Sequence, residues 1–378
     1  MDLNNLDSST LTPLGKDISQ ADIEAFDRLT SVALSPKEVE IAENPDCVAP
    51  KEKRLLALHF HPEWVPLPLI ETRLSRAFPA AVDRLVIPTQ HNRVTVMGQW
   101  AGVEADCYDA NLGQKIQLLI HFRSSKMPRA TKFLDMMERT YRYRAHQLLE
   151  VLEALTNPDE SIRQEINNNG LDHQALDLTG FFASRLKQLI HGREVQDTDR
   201  SEMLKNRLLT DFMLARCQGL DPTLFGSSLS VANIVKSFVK HRLNYQRFSE
   251  AQDVIEEARG LGAGIVIPHP PQFWPALLDD LDVDGWEVWN PSTPNHALFL
   301  IESLARAQGR YKRPLLAFMG DDTHMSSKIR ANVTEDKNGR GREIGFQPPW
   351  WDPKVAEALK KTGQGRERTM DEYRARIV

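Results

Sequence analysis

The chain has 378 residues, of which 41% are hydrophobic and 26% charged, and its formal net charge is −5. That length allows two or three domains at about 150 residues each, no apolar run nears the ~20 residues of a membrane helix, and the acidic balance excludes coating of nucleic acid by bulk charge. Cys47, Cys107 and Cys217 lie too far apart for a disulfide framework or a CxxC clip, so a metal site has to be built from histidine and carboxylate.

Residues 1–53 are acidic and poor in large apolar side chains, with scattered prolines, and read as an accessory leader. The first twenty residues lack the basic start and apolar block of a secretory signal, which points to the cytoplasm. From Arg54 the texture changes. RLLALHF is a short apolar run ending at a histidine pair, and PEWVPLPLIETRLSRAF takes up helical spacing after its prolines. VDRLVIPTQH, VTVMGQWAGVEAD and KIQLLIHF follow as Val- and Ile-rich strands. Between about Pro128 and Arg247 the i, i+3, i+4, i+7 pattern predicts helices only, so residues 129–248 are expected to form an inserted helical subdomain. Strand and helix then alternate again. SEAQDVIEEARGLG reads as a helix with capping-box spacing at Ser249 and Gln252; AGIVIPHP, DGWEVWNP, the helix of ALFLIESLARAQ, and RPLLAFMGDDTH complete the series. Such alternation predicts an α/β fold with a largely parallel sheet. The segment 336–378, with GRGR and the pair Trp350-Trp351, reads as a charged tail.

Candidate chemistry gathers at the strand ends, where loops of parallel α/β folds converge on one opening. There lie His59, His61, His91, Glu104, His269, Glu287, Asp322 and His324. Imidazoles and carboxylates are the ligands that zinc, manganese or iron takes, and alternation in an extended chain points His59 and His61 the same way. Glu287 in GWEVWN is equally suited to orienting a ligating histidine.

The series LHFHP (58–62), IPTQHNRV (87–94), AGVEAD (101–106), EEARGLGAGIVIPHP (256–270), WEVWN (286–290) and GDDTH (320–324) resembles, in order and chemistry, the motif set of the PHP (polymerase and histidinol phosphatase) superfamily. With its helical insertion the chain is most similar to the branch acting on nucleotides. The resemblance implies a distorted (β/α)7 barrel, TIM-like, spanning 54–128 and 249–335, with two or three divalent ions (zinc, manganese or iron) at its carboxyl end. It implies that His59, His61, Glu104 and Asp322 surround the first ion, that Glu104 bridges to a second held by His269, and that His91 and His324 belong to a third. Glu104, His91 and Asp322 would then be the catalytic set.

Three positions depart from the pattern, the first being Gln90 in Thr89-Gln90-His91, where the family motif usually reads Thr-Asp-His. Beyond the His59-x-His61 pair only Glu63 is available as a further ligand, and Gln117 stands where the family often has histidine, leaving His121 on the same strand face as a substitute. The expected activity is hydrolysis of a phosphomonoester or nucleotide by metal-activated hydroxide. Arg93, Arg123 and Lys328 are candidates for phosphate contacts. Two alternatives stand beside it: an exonuclease-type phosphodiesterase on oligonucleotides, favoured by Arg, Lys, Tyr and Phe interleaved in RYRAHQ and KHRLNYQRF, and a degenerate PHP-like binding protein without turnover.

Overall fold

A computed structural model describes residues 17–193, 199–242, 247–330 and 342–378 of the chain, which divides into two compact units. One contains the described residues of 1–33 and 142–244, and the other those of 34–141 and 245–378. No helix among the described residues is long and apolar enough to cross a membrane.

The larger unit is mixed α/β. Its strands are β1 (Arg54–Ala57), β2 (Phe60–His61), β3 (Asp83–Val86), β4 (Gln90–His91), β5 (Thr95–Met97), β6 (Trp100–Asp109), β7 (Gln114–Arg123), β8 (Gly264–Ile267), β9 (Gly285–Trp289), β10 (Leu316–Met319) and β11 (Thr323–His324). The main sheet runs β10-β9-β8-β7-β6-β4, with β5 paired to β6 off this path. β1 pairs with β3, and β2 with β11. The backbone of Ile87 donates to Ala57 and that of Thr89 to Phe60, so both short pairs continue toward β4.

The sheet is less parallel than the sequence pattern predicts. β6–β7, β7–β8 and β5–β6 are antiparallel. The physical reason is the β6–β7 connection, a tight turn over residues 110–113 that leaves no room for the crossover helix a parallel pair needs. Asp109 Oδ1 accepts from the backbone of Asn111 and Leu112 there, and Gly113 takes φ 62°.

Among the described residues no strand pairing joins β10 back to β1, so the sheet is not closed by backbone hydrogen bonds. Side chains of the C-terminal segment cover the two edges instead. Gln364 accepts from Ala317 N and donates to Leu315 O, and Thr369 donates to Ala317 O along β10. Gln347 donates to Leu56 O on β1. The helix Arg366–Arg376 ties both sides through Arg54–Asp371, Arg374–Asp83 and Arg376–Asp284 pairs. The segment 342–378 is therefore an integral part of the fold and not a tail; its charges are largely paired.

The leader is corrected in the same way. Helix Gln20–Thr30, capped by a Ser19/Asp22 capping box, buries Phe26 in the core of the helical unit beside Leu152, Phe182, Phe212 and Val235. Its buried Asp22 receives Arg185 and Arg216. Helix Pro36–Glu43, capped by Ser35, belongs instead to the sheet unit, where Ala42 joins Phe60, Ile70 and Phe78. The boundary expected at 129 also moves. Helix Thr131–Thr156 begins in the sheet unit because Phe133, Met136 and Met137 are buried with Val103, Ile120 and Trp286. The expected capping box at Ser249 does not form: Glu250 caps Ala251–Gly260 without a side-chain bond, while Ser249 O accepts from Tyr108 N on β6.

Candidate metal centre

Six short segments bring the candidate ligands together. β1 runs through Leu58 into β2, so His59 and His61 enter from one extended stretch. Parallel pairing sets His61 opposite His324 and His91 opposite Glu104. Glu104 and Glu287 lie within β6 and β9 rather than at their ends, as the strand-end reading had placed them. His269 follows β8 by two residues, and Asp322 precedes β11.

The backbone is held in unusual conformations here. Glu63 (φ 54°), Asn92 (φ 53°), His269 (φ 27°) and Asp322 (φ 49°) are the non-glycine residues with positive φ among those described. Each is a ligand candidate or adjoins one, and local strain gathered at one place marks a site that the surrounding structure over-determines.

Three overlapping groups have ligand atoms mutually within 4.8 Å: His59, His61 and Asp322; His59, Glu104 and His269; and His61, His91 and His324. The pairwise separations are informative. Asp322 Oδ1 lies 3.5 Å from His59 Nε2, 3.4 Å from His61 Nε2 and 3.5 Å from His324 Nε2. Glu104 Oε1 is 3.3 Å from His269 Nε2, and Oε2 is 3.6 Å from His61 Nε2. Most of these are too long for good hydrogen bonds. They match the spacing of about 3.3–3.5 Å between donors that surround one tetrahedral ion at 2.0–2.1 Å. His59 Nε2 and both ring nitrogens of His61 are buried and make no hydrogen bond. A buried polar atom without a hydrogen bond is costly, and a cation satisfies it. The donor set, imidazole and carboxylate without thiolate, therefore fits a divalent transition metal.

Electrostatics agrees. Burial raises the Glu104 carboxyl, but His91, His269 and His61 outweigh it and hold it well below the usual carboxylate range. Asp322 behaves alike: burial opposes, and His59, His324 and His61 prevail. Burial lowers His61, helped by the neighbouring His324 and His91, to about 3, so its ring is neutral and one of its two nitrogens carries a lone pair competent to ligate. Burial would lower His59 too, yet Glu287, Asp322 and Glu104 push it up to about 10. So much negative charge packed around buried imidazoles calls for positive charge at the centre.

Glu287 lies outside the three groups and hydrogen-bonds to two of their members. Its Oε1 lies 2.6 Å from His59 Nδ1, and Oε2 accepts from the backbone of His269 and from Asn290 Nδ2. The bond to Nδ1 leaves His59 Nε2 to face the cluster, the usual arrangement of a carboxylate behind a ligating histidine. Gly320 permits this approach, because a Cβ there would stand 1.9 Å from Glu287 Oε1.

His121 is not part of the cluster, contrary to the expectation for that strand. Its Nε2 bonds Leu58 O at 2.9 Å and its Nδ1 bonds Tyr373 Oη at 2.7 Å, so both nitrogens are used. Burial lowers its pKa to about 3, and the neutral ring has one donor and one acceptor for these two partners. Arg123 lies over the Trp100 ring and donates to Gln99 Oε1, and Lys328 pairs with Asp46; these partners account for both side chains without a phosphate. Arg93, two residues beyond His91, stacks its guanidinium on Tyr141. The Glu63 side chain is buried, with Oε2 accepting from Ser326 N and Oε1 3.6 Å from His324 Nδ1, at the edge of the third group. In that group His61 is stacked between His91 and His324, at ring separations of 4.3 and 4.2 Å. The expectation had assigned His61 to the first ion alone. Of the two basic–aromatic stretches, RYRAHQ lies on helix Thr131–Thr156, and KHRLNYQRF falls partly outside the described residues.

Arg342 is a residue that the motif reading passed over. Its Nη1 donates to Asp322 Oδ2 and to Asp322 O, both at 2.9 Å. The signal in the sequence was GRGR, which carried no motif of its own.

No family model matches the sequence, and no curated protein matches it. A solved structure from Bifidobacterium adolescentis, provisionally described as a metal-dependent phosphoesterase, matches over 68% of this chain and 84% of its own, with 15% identity and a TM-score of 0.36. A likeness at that level carries no argument about chemistry, which rests on the side chains above.

Proposed function

We propose that this chain is a metal-dependent phosphoesterase of the PHP type, with a distorted barrel built on the sheet unit and a multinuclear site of divalent ions. The observation that carries the reading is the set of 3.3–3.6 Å separations among His59, His61, Glu104, His269, Asp322 and His324. His59, His61 and Asp322 would hold one ion, Glu104 and His269 another, and His91 and His324, with His61 between them, a third. When bound, such ions polarise a phosphate and lower the pKa of water.

The chain's own residues do the rest. Glu104 turns Oε1 toward His269 and His59 and Oε2 toward His91 and His61, which suits a bridging role. Glu287 fixes the tautomer of His59. The cluster opens on one side: the His91 and His324 side chains are 31% exposed, against 1% for His59 and Glu104, so substrate approaches past these two imidazoles. In the reaction a water oxygen bonds to phosphorus, the ester P–O bond breaks, and the leaving oxygen takes a proton. No serine, cysteine or lysine nucleophile is required. A phosphomonoester or mononucleotide is the substrate class we favour.

The test is a panel of p-nitrophenyl phosphate, mononucleotides and single-stranded oligonucleotides, given to metal-stripped protein with Mn²⁺, Zn²⁺ or Fe²⁺ restored. Metal-dependent release of phosphate from the monoesters is expected. Stepwise shortening of oligonucleotides with inert monoesters would assign the exonuclease class instead, and metal binding without turnover of anything would make it a binding protein.

A further inference from the structure

We infer that Arg342 grips a non-bridging oxygen of the substrate phosphate beside Asp322, an assignment that rests on the phosphoesterase reading. The guanidinium sits one carboxylate away from the ligand atoms. Asp322 turns Oδ1 toward His59, His61 and His324 and gives Oδ2 to Arg342. A guanidinium carries five N–H donors, and both bonds to Asp322 come from Nη1, while Nε is buried and makes no hydrogen bond. Donors remain on a planar fork that matches phosphate oxygens.

Charge gives the direction. A fixed positive group beside a cation site opposes the ions; Asp322, with one oxygen toward each, offsets part of that opposition, and a phosphate lying across both offsets more. Holding Asp322 uses the Nη1 donor alone; a phosphate bound to the ions gives the remaining donors a partner.

The structure also builds a mount for this side chain. Glu343, the next residue, forms a two-pronged pair with Arg73, Nε to Oε1 and Nη2 to Oε2 at 2.6 Å each, with both side chains 1% exposed. Arg73 spends its Nη1 on the carbonyls of Ile41 and Asn44, and Asp46 N donates to Glu343 Oε2. Gly345 N donates to Asp321 Oδ2. A buried ion pair adds little net stability but fixes geometry well, and here the geometry it fixes is the position of Arg342 against the cluster.

The experiment titrates inorganic phosphate into full-length, Mn²⁺-loaded protein by calorimetry, and measures Mn²⁺ affinity separately by chelator competition. Arg342→Ala should weaken phosphate binding at least about tenfold, the scale of lost charge-assisted hydrogen bonds, with Mn²⁺ affinity unchanged or raised. Arg342→Lys, which keeps the charge but not the fork, should fall between, and serves if the alanine variant does not fold. Wild-type phosphate affinity in both variants would overturn the inference. So would a loss of Mn²⁺ affinity in step with phosphate, which would make Arg342 a positioning residue for Asp322 only. Failure of the wild type to bind Mn²⁺ at all would overturn the reading on which the inference rests.

Discussion

Glu104→Gln should lower phosphoester hydrolysis at least about a hundredfold while the circular dichroism spectrum stays that of the wild type, the loss expected when an essential group of a metal site is changed. Glu104 is 1% exposed, and its two oxygens face different partners: Oε1 toward His269 and His59, Oε2 toward His91 and His61. The amide is nearly isosteric, so packing against neighbouring strands survives. What disappears is the negative charge that allows two cations to sit close together, and an NH2 donor replaces one acceptor. Turnover is measured at saturating Mn²⁺, so that weaker binding is not mistaken for lost chemistry. Normal turnover would rule out a bridged pair of ions and favour a mononuclear site around His59, His61 and Asp322.

Combining His59→Ala with His61→Ala should remove most of the bound metal. The two imidazoles contribute to all three ligand groups, so no group retains its full set. The effect should exceed that of removing Glu287, which acts through His59 and whose loss is expected to cost 10- to 100-fold in metal affinity at about the usual scale for such supporting carboxylates. His121→Gln is the control. It lies on a neighbouring strand, but its nitrogens serve Leu58 and Tyr373, so the variant should lose stability while keeping its metal.

The cluster was legible in the sequence because each candidate ligand sits in a short local pattern. Alternation along an extended chain gives His59 and His61 one direction, and His269 and Asp322 follow apolar strands of four residues. What the sequence concealed depends on partners far away along the chain. Tyr373 meets His121 across 252 residues, and Arg73 meets Glu343 across 270. Composition does not separate a charge that is solvated from one that is paired, so 342–378 looked like a tail although Asp371, Arg374 and Arg376 are each in ion pairs. The acidic leader misled for the same reason, since Asp22 is fully buried against Arg185 and Arg216. The antiparallel β6–β7 hairpin was concealed differently. Its two strands alternate with apolar runs like those of a parallel sheet because both are buried along most of their length.

The central claim, that these histidines and carboxylates exist to hold divalent ions, is tested most directly by the metal content of the full chain purified without chelator and analysed by inductively coupled plasma mass spectrometry. The account predicts at least about one equivalent of zinc, manganese or iron per chain, by the donor set that such ions take. Metal-free protein that also takes up none of these ions on titration would contradict it.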